Sequence, residues 1–165
     1  MDQVDINKLW QNFQDTVTNH YMDFNGRIGR AQFWWYILVV VVIAVVAGIV
    51  ASVTLHLIST LVSLGLLLPN LGMTVRRLHD SGKPGIWVLV LAIPAVLMML
   101  LAILVVVSGG LLFGLLFLTP IISLVSLVGA VIIIYFCVQP GDAAANTYGP
   151  PPAPWAPSKP ATPAT

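Results

Sequence analysis

The chain has 165 residues, 58% hydrophobic and 8% charged, with a formal net charge of +1 at pH 7. Its seven basic and six acidic residues are segregated, with none in residues 31–75 or 84–141. That pattern excludes an ordinary soluble domain and a basic stripe for nucleic acid, and the single Cys137 excludes an internal disulfide framework.

In residues 1–25, Ile6, Leu9, Trp10, Phe13, Val17 and Tyr21 recur at helical spacing, which predicts one amphipathic helix with Asp5 placed to cap it. Four aspartates against Lys8 give this segment a net charge of −3, so anionic headgroups should repel it. It is expected to dock on its own bundle or lie at the interface through its apolar face. A docking face for a partner is the alternative.

Residues 26–140 read as a four-span membrane domain. A bilayer core of about 30 Å takes roughly 20 apolar residues, so each long uncharged run holds two spans. We place them at about 33–53, 57–75, 86–107 and 111–138, an all-α integral membrane fold of two transmembrane hairpins. Ser108, Gly109 and Gly110 mark the second hairpin turn, whereas Ser52, Thr54, His56, Ser59 and Thr60 mark the first only weakly. The first span is expected to act as an uncleaved anchor. Both termini and residues 76–85 then share one side of the membrane. Arg27, Arg30, Arg76, Arg77 and Lys83 flank spans there, and the opposite turns lack Lys and Arg, which makes that side cytoplasmic. Trp34, Trp35, Tyr36, Trp87, Tyr135 and Phe136 form an aromatic belt on the same side.

Inside the second span, Pro69 frees the Gly65 carbonyl, and Asn70 is expected to satisfy such a group or to bond a neighbouring helix. The span should end near Gly82 and Pro84, which puts Arg76, Arg77, His79 and Asp80 in its last turns. Asp80 has the wrong sign for a helix C-terminus. Arg76 and Arg77 precede it on the helix, the weaker order for local pairing. Arg27 and Arg30, three apart on one face where the first span begins, have the wrong sign for a helix N-terminus. We therefore expect Asp80 to bridge to Arg27 or Arg30 and clamp the first two spans. Arg27, Arg30, Arg76, Arg77 and Lys83 against Asp23 and Asp80 leave +3, an attraction for anionic lipid headgroups. Pro94 and Pro120 suggest bends in the third and fourth spans, and Ser123, Ser126 and Ala130 a small-residue stripe for close packing.

Residues 141–165 form a Pro-rich tail expected to be disordered, on the cytoplasmic side. Pro151, Pro154, Pro157, Pro160 and Pro163 share the three-residue phase of a polyproline II helix, which would suit a groove with Trp155 as anchor.

Three blocks of residues resemble one family. Phe24, Gly26, Arg27, Arg30, Phe33 and Trp34 match the opening F-x-G-R-x-x-R-x-x-[FY]-W motif of the bacterial domain of unknown function 805 family. Val75 to Asp80 with Gly82, then Gly85 and Trp87, resemble its V-R-R-L-H-D-x-G block. Pro140, Gly141, Asn146, Tyr148 and Gly149 resemble its closing P-G-x-N-x-Y-G element, although Asp142 and three alanines lengthen the spacing here. The resemblance covers about residues 21–150 and implies a small inner-membrane protein. It leaves the biochemical activity open.

Catalytic chemistry finds little support. Arg77 stands where a phosphate loop ending at Lys83 needs its first glycine, and Pro84 where it needs Ser or Thr. His79, Asp80 and Ser81 are adjacent rather than assembled from separate segments as a hydrolytic triad is. His20, His56 and His79 lack metal-site spacing, and Cys137 reads as an ordinary buried thiol. We expect no enzyme and no cofactor, but an interaction or lipid-organising module. Its expected partners are anionic lipid, a second copy or another membrane protein. A small transporter or channel subunit is the alternative, weakened by the lack of a charge within any apolar stretch.

Overall fold

A computed structural model describes residues 4–53 and 57–155. Its helices are α1 (Ile6–Thr18), α2 (Arg30–Val53), α3 (Leu57–Asp80), α4 (Leu89–Val107) and α5 (Thr119–Val138), with 3₁₀ turns at Gly85–Val88 and Phe113–Leu118. Four segments of 22 to 26 residues are long and apolar enough to cross a bilayer. Thr54 and His56 of the first hairpin turn, and Pro157, Pro160 and Pro163 of the tail, lie outside the described residues.

The helix ends follow from local chemistry. The Asp5 carboxylate accepts from the Asn7 amide at 3.0 Å and starts α1. Gly82, at φ +69°, ends α3: the Gly82 amide donates to the His79 carbonyl at 3.1 Å and the Lys83 amide to Leu78 at 2.9 Å. Gly109 and Gly110 close α4 in the same way on the Val106 and Val105 carbonyls, each at 3.1 Å.

Pro120 does not bend a span. It sits in the first turn of α5, where proline breaks no helical hydrogen bond. Pro94 lies inside α4, so the Val90 carbonyl one turn back loses its helical donor. A close approach of α5 to α4 occurs there, at Gly129, beside half-buried Ala130 of the expected small-residue stripe. A Cβ on Gly129 would meet Val90 Cγ1 at 2.6 Å and the Val90 carbonyl at 3.0 Å, while Ser123 is exposed.

α2 pairs with α3 and α4 with α5, while α3 also packs against the Gly85–Val88 turn and α5. The buried core lies at the end of the bundle that carries the charges, where Phe13, Ile28, Phe33, Tyr36, Met73, Leu78, Ile133 and Cys137 form one cluster. Much of the remaining helical surface is exposed Leu, Val and Ile, as expected where lipid is the solvent.

α1 docks on α2 and α3. Asn12, Phe13 and Thr16 are buried, and the Phe13 ring stacks on Tyr36 with centroids 6.0 Å apart. The Asn12 side-chain amide donates to the Gln32 backbone carbonyl at 3.2 Å and its Oδ1 accepts from the Gln32 side-chain amide at 3.0 Å, while the Tyr21 hydroxyl donates to the Gly65 carbonyl at 2.8 Å. That carbonyl is the one Pro69 deprives of its helical donor. Asn70 instead bonds across helices, its Oδ1 accepting from the Tyr36 hydroxyl at 2.8 Å. Tyr36 is therefore a fully buried core residue, not part of the interfacial belt.

Candidate functional site

The motif residues converge where the charged ends of the helices meet. Arg27 lies in the linker before α2, after Gly26 at φ +78°. The expected common face for Arg27 and Arg30 fails, because α2 begins only at Arg30. The linker is fastened to α3 by the Ile28 amide, which donates to the Arg76 carbonyl at 3.2 Å. His79 Nδ1 contacts the Gly26 carbonyl at 3.2 Å, and since a carbonyl only accepts, Nδ1 carries the proton.

Asp80 is held by two arginines. Arg27 donates from Nε at 3.1 Å and from Nη2 at 2.9 Å to Asp80 Oδ1, and Arg77 Nη1 donates to Oδ2. The local Arg77 pairing thus forms alongside the tertiary one: the carboxylate's two oxygens serve two guanidiniums, and the acid-last order costs little once Arg77 is anchored elsewhere. The side chains of Arg27, Arg77 and Asp80 are 1%, 0% and 5% exposed, so the cluster is dry.

Two cations and one anion leave a buried positive charge, and backbone carbonyls spread it. Arg27 also donates to Asp142 at 2.5 Å, Ala144 at 2.8 Å, Gly149 at 3.3 Å and the Asp80 carbonyl at 3.4 Å. Arg77 donates to the Cys137 carbonyl at 3.0 Å and to that of Gln139. Arg30 contacts the Val138 carbonyl at 3.3 Å. α5 has no basic residue in its last turn, so Arg77 and Arg30 bring the cations that the negative end of its dipole favours.

The closing motif completes the cluster. Gly141 is required because a Cβ there would overlap the Asp80 carboxylate. The Asn146 side-chain amide donates to the His79 carbonyl at 3.0 Å and to Asp142 Oδ2 at 2.8 Å, while its own Oδ1 accepts from the Tyr148 amide at 2.9 Å. The Tyr148 ring lies flat on His79, with centroids 3.8 Å apart and planes 3° from parallel. Residues 141–149 are therefore a packed loop and not part of a disordered tail: a segment too polar for a core of its own supplies the acceptors that Arg27 needs. Residues 150–155 continue back over the start of α2, where Pro152 Cγ comes within 3.8 Å of a Cβ built on Gly29.

The other candidates separate. Arg27 and Arg77 are buried inside the protein and cannot serve as headgroup contacts. Arg76 faces the α1 side, 3.6 Å from Asp23 Oδ2 and 3.2 Å from the Met73 sulfur, and its buried Nε has no acceptor among the described residues. Burial pushes the Asp23 carboxyl up, but the Asn25 amide, His20 and the Arg76 charge outweigh it and hold the group below the ordinary aspartate value. Lys83 lies over the Phe136 ring at 5.5 Å, and Trp87 packs edge-on against the same ring at 5.2 Å. Arg30 is exposed. Asn70 is deeper in α3 and not part of the cluster. The carbonyls of residues 137–149 were beyond reach of side-chain reasoning; the closing motif was the only signal for them.

A family model described as Protein of unknown function (DUF805) matches residues 21–150. The chain is 33% identical over 85 residues to Inner membrane protein YhaI of Escherichia coli strain K12, an alignment covering 48% of this chain and 70% of that protein. It is 28% identical over 85 residues to Inner membrane protein YhaH of the same strain, covering 47% and 70%. Uncharacterized protein YiiR of that strain is 36% identical over 74 residues, covering 44% of this chain and 51% of its own length. No solved structure matches the chain significantly. With the matched region running from Tyr21 through all three motifs of the cluster to Pro150, the chain belongs to the family of proteins of unknown function called DUF805 and, like YhaI and YhaH, is an inner membrane protein.

Proposed function

We propose that this protein is a non-catalytic membrane module that organises anionic lipid at the cytoplasmic face, with both termini on that side. One observation carries the reading: a division of labour among the cations. Arg27 and Arg77 are consumed in the buried joint with Asp80, whereas Arg30 is exposed and Lys83 partly so, each beside aromatic side chains at the charged end. A buried, carbonyl-saturated ion cluster suits holding helices together and leaves no group poised to react with a substrate. The exposed cations suit phosphate, and the one-sided distribution of arginine and lysine suits a cytoplasmic location for that end.

Extraction in native-lipid particles followed by lipid mass spectrometry tests the proposal. Enrichment of anionic over zwitterionic lipid relative to the bulk membrane is expected, and its loss in the Arg30→Gln/Lys83→Gln double variant. A lipid profile identical to the bulk membrane would contradict the reading, as would solute flux in liposomes holding the purified protein. The pairing of Asn70 with Tyr36 argues against such flux, because it occupies the polar group that a transport path would use.

A further inference from the structure

We propose that a cleft at the start of α2 is a binding site for the phosphate of an anionic phospholipid, with Arg30 as its cation and Trp155 as its wall. This rests on the lipid-organising reading and assigns it one place. The cleft has a volume of about 600 Å³, within the usual size of small-ligand pockets, and its lining includes Arg30, Gln32, Trp34, Val138, Pro152 and Trp155. Arg30 has five N–H donors, and its side chain makes a single hydrogen bond among the described residues, the 3.3 Å contact with Val138. The rest of the guanidinium is available to phosphate oxygens, which it can bind as a fork.

A second observation selects a lipid over a free phosphate. From Arg30, an exposed stripe runs along α2 through Trp34, Leu38, Val41, Val45 and Ile49 at the spacing of one helix face. A phosphate at Arg30 would place an acyl chain on that stripe, with Trp34 at the boundary between headgroup and hydrocarbon. The neighbouring cleft of about 540 Å³, also lined by Trp155, has both Asp15 and Lys8 in its lining, and these opposed charges favour phosphate less.

The test uses the full chain in nanodiscs of phosphatidylcholine doped with phosphatidylglycerol, with bound lipid read by native mass spectrometry. Wild type should retain phosphatidylglycerol selectively. Arg30→Gln should cut that retention about tenfold, the factor for losing one charge-assisted contact, and Trp155→Ala should weaken it about threefold through the lost wall. Arg30→Lys should retain an intermediate level, and all three variants should stay folded with only a small fall in melting temperature, as expected for changes at exposed or partly exposed positions. Inorganic phosphate at millimolar concentration should not displace the lipid. Undiminished selectivity in Arg30→Gln overturns this site while leaving the broader lipid reading intact, absence of selectivity in wild type overturns both, and complete displacement by inorganic phosphate overturns the choice of lipid.

Discussion

At the scale of single residues, need was legible but partner was not. The sign of Asp80 at a helix C-terminus showed that it required a cation. That Arg27 rather than Arg30 supplies it depends on Gly26 at φ +78° and on α2 starting at Arg30, which turn the two arginines to different partners. The Gly65 carbonyl freed by Pro69 was equally visible, yet its donor, Tyr21, comes from a segment 44 positions earlier. Tyr21→Phe should therefore destabilise the protein by about 1 kcal/mol, the net worth of one hydrogen bond, with faster amide exchange in α1 as the measurement. Asp23 sets a pH response. Its folded pKa is below its unfolded value, so its stabilising contribution is complete above about pH 3.9 and is lost as pH falls through the lower, folded value. Protection of the α1 amides relative to their intrinsic exchange rates should fall across that acid window in wild type, and more weakly in Asp23→Asn.

At the scale of elements, the apolar runs and the glycine stops placed the spans well, because hydrocarbon thickness and backbone saturation leave few choices. Two features escaped. Pro120 reads as a kink when the fourth span is assumed to start at 111, but the Phe113–Leu118 turn comes first and makes it a helix-starting residue. The contact between α4 and α5 is set by Gly129 against the Val90 carbonyl, a pairing across two helices that no local pattern encodes. Gly129→Ala should push the helices apart and cost about 1–3 kcal/mol, whereas Gly48→Ala, with nothing within 4 Å of its Cβ, should be neutral or slightly stabilising. Unfolding of both variants in mixed micelles separates the two cases.

For the molecule as a whole, two helical hairpins and a loop expected to be disordered are joined at one end by the Arg27, Asp80 and Arg77 cluster, while the amphipathic helix docks separately on α2 and α3. Each family motif contributes to it: the opening block brings Arg27, the second Arg77, His79 and Asp80, and the closing block Gly141, Asn146 and Tyr148. Shared use in one joint explains why the three blocks occur together although they lie far apart in the chain. The proposed cytoplasmic orientation of this end predicts that a green fluorescent protein fused after Thr165 will fluoresce and an alkaline phosphatase fused there will be inactive. The most direct measurement of the joint is a double-mutant cycle on Arg27→Gln and Asp80→Asn, read as unfolding free energy in mixed micelles. Asp80→Asn should cost about 3–5 kcal/mol by leaving two buried guanidiniums without a counter-charge, and the double variant should fall short of the summed single losses by about 1–3 kcal/mol. Additive losses, or a cost below about 0.5 kcal/mol for Asp80→Asn, the range of an ordinary surface change, would contradict a buried ion cluster as the joint of this fold.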